Sequence, residues 1–264
     1  MLSAASLSSA GQAASYYAKD NYYAADAAAD ASQWSGQGAA ELGLSGNVNL
    51  IDFAAVLEGK LPDGSVLRPG PGGKHRPGMD LTFSAPKSLS LLAYIGGDER
   101  LLAANEAAAR ATIAWAEKNL AETRMQNRGG EMVTVKTGNL VAALFSHDTN
   151  RNKDPQAHVH AVIANATRGL DGKWRALLND RLWQNSTVLG SIYHAYLRTA
   201  VERLGYAIEL TGKHGQFEIT GIDRETVMKF SSRREEILDA FATLTHQNDK
   251  TRDAVTLKTR VRKE

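Results

Sequence analysis

The run Asp-Pro-Gln-Ala-His-Val-His-Ala-Val-Ile at residues 154–163 places two histidines two positions apart in a largely apolar stretch. Alternate residues of a β-strand point to the same face of a sheet, so a strand here projects His158 and His160 together. His147 ends an apolar run just upstream. If its strand pairs beside the first, three imidazoles converge on one point. The sequence therefore predicts a strand pair that carries a candidate metal site.

The histidine spacing leaves a simpler interpretation open, because a lone His-x-His pair is more often two ordinary strand histidines. The position of His147 at a strand end favours the metal site. Neutral imidazole binds Zn, Mn, Co, Ni and Cu well, and three protein ligands leave a coordination position for water or substrate. The other four histidines show no ligand spacing and are assigned to the surface or the core: His75, His194, His214 and His246.

Four of the eight tyrosines lie in two pairs near the start of the chain, at Tyr16, Tyr17, Tyr22 and Tyr23. A neutral phenol, with a pKa of ~10, is a poor nucleophile until a metal ion or a general base activates it. Packing of a helix against the sheet would also explain an aromatic pair. The polar residues 19–21 between the two pairs favour a reactive role over a purely structural one.

Composition excludes several classes of protein. With 264 residues, 43% hydrophobic and 23% charged, the chain is typical of a soluble globular protein. The absence of cysteine excludes disulfides, thiolate ligands and a thiol nucleophile. No signal peptide or membrane-spanning run is predicted, so we expect a cytoplasmic protein without membrane insertion. A net charge of +2 neither requires nor excludes nucleic acid as a partner.

Hydrophobic patterning predicts helices in the first half and a sheet interrupted by helices in the second. Helices are predicted at residues 8–17, 49–57, 86–95, 98–125, 178–204 (as one or two pieces) and 223–244. Strands are predicted at residues 79–83, 140–145, 157–167, 173–177, 206–210 and 216–219. Ser84 is the candidate N-cap of the helix at 86–95. Residues 26–38 are expected to form a mobile loop, and residues 246–264 a mobile tail.

Four motifs occur in an order that resembles a known family. They are the tyrosine pairs, Asp-Leu-Thr-Phe-Ser-Ala-Pro-Lys-Ser at 80–88, Thr-Gly-Asn-Leu at 137–140, and the three histidines. The chain is similar over nearly its whole length to the relaxase domain of MobF-type conjugative relaxases, the TraI/TrwC family of HUH endonucleases. The resemblance implies an α+β fold, in which helices flank a central antiparallel β-sheet that is circularly permuted relative to Rep-type nickases. It also implies one relaxase domain over residues 1–264.

The resemblance further implies a site- and strand-specific nickase that acts on single-stranded DNA at a transfer origin. Tyr16 would be the first nucleophile and would form a 5′-phosphotyrosine. His147, His158 and His160 would hold a divalent metal ion, Mg or Mn, and Zn, Co or Ni would be able to substitute for it. Asp80 would either orient one of these histidines or accept the tyrosine proton.

The remaining tyrosines have secondary roles by the same resemblance. Tyr17 would support Tyr16, and Tyr22 or Tyr23 would serve a second transesterification that ends transfer.

Four cations are candidate DNA contacts: Lys87, Arg151, Arg175 and Lys213. Each is equally compatible with a solvated charge. Binding of single-stranded DNA through such cations should weaken with salt. Further expected partners are relaxosome accessory proteins and a coupling protein.

The family usually carries a helicase downstream, so the chain is expected to be the N-terminal fragment of a longer relaxase-helicase, with a naturally short protein as the alternative. It lacks Gly-x4-Gly-Lys-Ser/Thr, and no ATPase activity is expected. Two other functions compete with the relaxase. A three-histidine hydrolase or oxygenase, such as a cupin-like enzyme, leaves the tyrosines unexplained, and a non-catalytic DNA-binding module would use the metal structurally. Rolling-circle replication initiators share the chemistry but usually place the tyrosine after the histidines.

Overall fold

The computed structural model describes residues 2–17, 32–70, 73, 75–150 and 152–232. Within these residues no helix is both long and apolar enough to cross a membrane. The elements, in chain order, are β1 (Leu2–Ser6), α1 (Ala10–Tyr17), β2 (Ser32–Ser35), α2 (Gln37–Glu41), α3 (Leu50–Leu57), β3 (Gly78–Ser84), α4 (Lys87–Tyr94), α5 (Arg100–Leu120), β4 (Glu122–Gln126), β5 (Met132–Lys136), β6 (Ala142–Thr149), β7 (Pro155–Ala164), β8 (Thr167–Arg168), β9 (Trp174–Arg175), α6 (Asp180–Gln184), α7 (Ser186–Arg203), β10 (Ile208–Leu210), β11 (Phe217–Ile219) and α8 (Arg224–Lys229).

A five-stranded antiparallel sheet with the strand order β1-β3-β7-β6-β2 forms the centre of the fold. The strand that carries the His-x-His pair, β7, is the middle strand and pairs on both sides. Three two-stranded sheets, β4-β5, β8-β9 and β10-β11, are the other sheets in the described part of the chain. This architecture confirms the predicted α+β class with a central antiparallel sheet and flanking helices.

The two faces of the central sheet carry two different cores. One face packs Leu81, Ile163 and Val159 against the apolar side of α4, α5 and α7. The other face packs Val162 and Phe145 against α1 and α3. Because strand residues alternate between faces, the histidines lie on the α1 side of the sheet, in line with Phe145.

Two parts of the prediction were wrong in the first half of the chain. Residues 26–38 were expected to form a loop, but their described part contains β2 and the start of α2, and β2 pairs with β6 at the sheet edge. β1 was not predicted at all. Both edge strands consist mainly of serine, alanine and glutamine, so their pairing depends on backbone hydrogen bonds that the hydrophobic pattern does not reveal.

Helix boundaries also differ from the prediction. The helix expected over 98–125 ends at Leu120, because residues 122–126 pair with β5 instead. Ser84 was expected to cap α4, but it ends β3 and Pro86 occupies the N-cap position without a side-chain cap. The Glu218 carboxylate accepts a hydrogen bond from the Ser88 amide in this first turn, at 2.9 Å. Most of the helix predicted over 223–244 and all of the tail at 246–264 lie outside the described residues.

A buried histidine in α7 should make the fold sensitive to acid. His194 is 3% exposed and packs against Tyr193 and Phe217. Neither ring nitrogen has a hydrogen-bond partner among the described residues. Burial lowers the pKa of His194 from 6.5 to about 4. The unfolded chain therefore binds a proton at a pH where the folded chain does not, and stability falls as the pH drops from about 6.5 towards 4.

We expect His194→Leu to remove this part of the acid sensitivity. One pKa unit corresponds to about 1.4 kcal/mol, so the wild type should lose about 2 to 3 kcal/mol more unfolding free energy than the variant between pH 7 and pH 4. Urea unfolding at both pH values measures the difference. His214→Asn is the control, because His214 is exposed and its positive φ of 63° suits asparagine. Equal pH dependence of wild type and His194→Leu would contradict the prediction.

Candidate metal centre and active site

The pairing of β6 with β7 brings the three histidines together. His147 lies directly opposite His158, and Phe145 lies opposite His160, so all three imidazoles share one face. Their ring centroids are 4.9 to 5.4 Å apart, and one nitrogen from each ring lies within 4.8 Å of the others. His147 and His160 are buried and His158 is half-buried. The pairing of β6 with β7 therefore forms the three-histidine cluster that the sequence predicts.

A short hairpin turn sets this register. The ladder shifts between His147 and Thr149, a bulge that puts Thr149 opposite Pro155. Asn150 and Asp154 then close the turn, with a backbone bond of 3.0 Å and a side-chain bond of 2.8 Å. The turn and the bulge together determine which residue of β7 faces His147.

Acceptors outside the cluster orient two of the imidazoles. The Nδ1 of His160 lies 2.7 Å from Oδ2 of Asp80, and the Nδ1 of His158 lies 2.8 Å from the carbonyl oxygen of Gln156. Both acceptors require a proton on Nδ1, which leaves the lone pair of each ring on Nε2, the atom that can donate to a metal. The Thr82 hydroxyl donates to the same Asp80 oxygen at 3.2 Å.

This arrangement fits a divalent metal ion. The Nε2 of His160 is buried and has no hydrogen-bond partner among the described residues, which is costly unless another ligand satisfies it. Three neutral imidazoles form a good donor set for divalent transition metals and leave positions open for water or a phosphate oxygen.

Of the four predicted site tyrosines, Tyr16 and Tyr17 lie in the described part of the chain. They occupy different environments at the end of α1. Tyr16 is half-buried, and its ring centroid lies 5.9 Å from that of His160. Tyr17 is 7% exposed and stacks on Phe145 at 5.1 Å. Burial raises the pKa of the Tyr17 phenol far above its ordinary value, and the negative charge of Asp80 raises it further. Tyr17 is thus a neutral, buried residue, whereas Tyr16 is half-buried, and both line a cleft.

The other predicted tyrosines, Tyr22 and Tyr23, lie outside the described residues.

A cleft of about 580 Å³ opens beside Tyr16, His158 and His160. Its far side is strand β1, where Ser3 and Ala5 lie opposite Thr82 and Asp80 in the ladder. Hydroxyl, amide and methyl groups line most of the cleft, and no lysine or arginine is among its described lining residues. Among the described lining residues, only His158 and His160, or a metal ion held by the histidine cluster, could therefore supply positive charge to a bound phosphate.

The structure gives two of the predicted DNA contacts partners inside the protein. The Lys87 amine donates to the Pro155 carbonyl at 2.8 Å, and burial lowers the pKa of this amine to about 8. Arg175 forms two hydrogen bonds with Asp171, at 2.6 and 2.7 Å. Lys213 is exposed in the turn between β10 and β11. Arg151 lies outside the described residues, and a DNA contact at any of the four positions stays a prediction.

Sequence reasoning missed two residues of the site. Thr82, which bonds Asp80, is two positions further along β3, so strand periodicity already places it on the same face. The backbone carbonyl of Gln156, which orients His158, has no signal in the sequence because every residue carries a carbonyl.

Comparison with known proteins identifies related sequences. A family model described as TrwC relaxase matches residues 10–264. Two curated proteins, each named multifunctional conjugation protein TraI, are similar to this chain. The one from Escherichia coli is 44% identical over 98% of the chain, and the one from Escherichia coli strain K12 is 42% identical over 100%. The chain spans about 15% of the length of these two relatives.

Solved structures of the conjugative relaxase TrwC match the whole chain. Its metal-free complex with OriT DNA has a TM-score of 0.87 and 38% sequence identity, covering 92% of that chain. A complex with a 27-mer DNA comprising the recognition hairpin and the cleavage site gives the same values. The metal-bound complex with OriT DNA has a TM-score of 0.88, also at 38% identity and 92% coverage.

Proposed function

Since the chain belongs to the TrwC relaxase family, we propose that it is a metal-dependent DNA relaxase that nicks and rejoins one strand at a transfer origin and so initiates conjugative DNA transfer. The observation that carries this proposal is that Tyr16 lines one cleft with His158 and His160, two members of a cluster of three convergent histidines. The structures of related TrwC with OriT DNA support transfer-origin DNA as the substrate, and we propose that it is bound as a single strand.

The proposed reaction is a transesterification. The Tyr16 phenol oxygen attacks the scissile phosphorus, a new phosphorus–oxygen bond forms, and the bond from phosphorus to the 3′ oxygen breaks. The phenol gives up one proton and the departing 3′ oxygen gains one. The product is a 5′-phosphotyrosine and a free 3′ hydroxyl. Because one ester replaces another, the reverse reaction rejoins DNA without ATP.

His147, His158 and His160 would hold the metal ion in this proposal. When bound, a divalent ion polarises the scissile phosphate and stabilises its developing negative charge. Mg or Mn is the proposed physiological ion, although a set of three imidazoles should bind Zn, Co or Ni more tightly. Asp80 holds His160 in the ligating tautomer, which its 2.7 Å contact with Nδ1 supports over the role of proton acceptor.

The other tyrosines have supporting or later roles in the proposal. Tyr17 packs the end of α1 against Phe145 and so positions its neighbour Tyr16. Tyr22 or Tyr23 serves the second transesterification.

We further propose that the protein acts in the cytoplasm with relaxosome accessory proteins and a coupling protein. Its membership of the family supports this proposal.

A strand-transfer experiment tests the proposed function. The protein is incubated with Mn²⁺ and a 3′-labelled single-stranded oligonucleotide from the transfer origin of the host element, and then with a longer unlabelled strand. A relaxase should form a protein-linked DNA species and then join its 5′ phosphate to the 3′ end of an added acceptor strand. A hydrolase would release free 5′ phosphate with no adduct, and a binding module would leave the DNA uncut. Either of the last two results would reject the proposal.

Asp80→Asn should weaken metal binding about 10- to 100-fold, because a neutral amide in place of the carboxylate that accepts from His160 lowers the basicity and order of this ligating histidine. Calorimetric titration with Mn²⁺ measures the affinity. Asp171→Asn is the matched control, since Asp171 pairs with Arg175 in the β8–β9 turn. Unchanged metal affinity in Asp80→Asn, combined with slower cleavage, would instead favour Asp80 as the proton acceptor.

A further inference from the structure

Residues 85–90, which include the start of α4, form hydrogen bonds with the three residues that precede His158. The Lys87 amine donates to the Pro155 carbonyl at 2.8 Å. The side-chain amide of Gln156 donates to the Ala85 carbonyl at 2.9 Å. The backbone amide of Ala157 donates to the Ser90 hydroxyl at 3.0 Å, and its carbonyl accepts from the Ala85 amide at 3.0 Å. Each of the three residues therefore has at least one bond to this segment.

These bonds replace ordinary sheet pairing at this point. The ladder between β3 and β7 ends at the pair Ser84 and His158, and the ladder between β6 and β7 is irregular after His147. Pro155 also has no amide hydrogen to donate to a ladder. Side-chain bonds from Lys87, Gln156 and Ser90 therefore supplement the sparse backbone pairing that holds the first residues of β7.

The Nδ1 atoms of His160 and His158 are held by different kinds of acceptor. His160 is oriented by a carboxylate, Asp80, which belongs to the regular part of β3. His158 is oriented by a backbone carbonyl, that of Gln156, at 2.8 Å. A backbone carbonyl can orient a ring only if its own peptide is held. The amide of the Gln156–Ala157 peptide donates to Ser90, and the neighbouring Pro155–Gln156 peptide is the one whose carbonyl accepts from Lys87.

We propose that Lys87 is a positioning residue of the metal centre, which holds the Pro155 carbonyl and thereby the adjoining Gln156 carbonyl that orients His158. This inference rests on the metal centre proposed above. It is an alternative to the prediction that Lys87 contacts DNA, which nothing yet tests.

The surroundings of Lys87 support this role. The amine is half-buried and is attracted by two carboxylates, Asp154 and Glu218. Asp154 is itself bonded to Asn150 and to Ser232, and Glu218 is bonded to Ser88. Because both carboxylates are anchored, the amine is held within the protein, where a half-buried ammonium group needs such partners.

Metal titration of Lys87 variants tests the inference without any cleavage assay. Lys87→Met should bind Mn²⁺ about tenfold more weakly, at the lower end of the effect of an outer hydrogen-bond partner. Lys87→Arg keeps a cationic donor and should recover most of the affinity. Lys60→Met is the control, because Lys60 is exposed and pairs only with Glu58 at the surface. The thermal midpoint of each metal-free protein shows whether it is folded.

A second readout follows the histidine itself. In the metal-free wild type, ¹⁵N NMR should show His158 with its proton on Nδ1, and Lys87→Met should increase the Nε2-protonated fraction. If Lys87→Met does not fold, Gln156→Met removes the neighbouring bond to Ala85 and should give the same two changes.

Wild-type metal affinity and tautomer in the folded variants would overturn the inference. So would an unchanged metal affinity with weaker DNA binding, which would make Lys87 a DNA contact. A wild-type protein that binds no divalent metal would overturn the metal centre and this inference together.

Discussion

Tyr16→Phe should abolish the protein-linked DNA species and lower the nicking rate by a factor on the order of 10⁴ or more, as is typical when a nucleophile is removed. The phenylalanine ring keeps the contacts that Tyr16 makes with Tyr17 and His160, at 5.0 and 5.9 Å between centroids. Only the oxygen that would attack phosphorus is lost. Denaturing gels of labelled transfer-origin DNA, with Mn²⁺ present, measure both quantities.

Tyr17→Phe is the matched control for this experiment. Its ring should still stack on Phe145, and the buried hydroxyl that it loses has a raised pKa and is not proposed to react. Nicking should stay within about threefold of wild type, since a neutral buried phenol contributes little to the reaction. An adduct that persists in Tyr16→Phe but disappears in Tyr17→Phe would reverse the assignment. An adduct that persists in both would move the nucleophile to Tyr22 or Tyr23.

His158→Ala should weaken metal binding by at least about 100-fold, because it removes one of three ligands and not merely an outer partner. His158 is half-buried, whereas His147 and His160 are buried, so its truncation disturbs the core least. At limiting Mn²⁺ the nicking rate should fall in parallel, and excess Mn²⁺ should restore part of it. Calorimetric titration and the gel assay measure the two effects.

His214→Asn serves as the control for His158→Ala, since His214 lies exposed in the turn between β10 and β11. Treatment of the wild type with a chelator should reproduce the loss of nicking, and added Mn²⁺ should reverse it. Full nicking activity in His158→Ala, or in the chelated wild type, would exclude the proposed role of the metal.

Strand periodicity was sufficient to place several residues of the site. The interval of two between His158 and His160 put both rings on one face, and the same interval from Asp80 reaches Thr82. The predicted strands at 79–83 and 157–167 overlap the structural strands Gly78–Ser84 and Pro155–Ala164. These regions have a strong alternating or apolar pattern, which is a local property of the chain.

Regions without such a pattern were predicted less well. The edge strand Leu2–Ser6 is made of small and polar residues, and it becomes a strand because β3 offers its free edge. Residues 122–126 continue a helix-favouring composition, but pairing with residues 132–136 makes them a strand. In both cases the partner is distant in sequence, so local propensity was outweighed by tertiary contacts.

The sequence by itself determined the fold class, the face shared by His158 and His160, and the presence of a reactive tyrosine candidate. Only the tertiary structure separated the buried Tyr17 from the half-buried Tyr16, and only it gave Lys87 a partner in Pro155. The physical reason is that side-chain direction follows from the backbone geometry of neighbouring residues, whereas burial and hydrogen bonding depend on residues that folding brings from elsewhere in the chain.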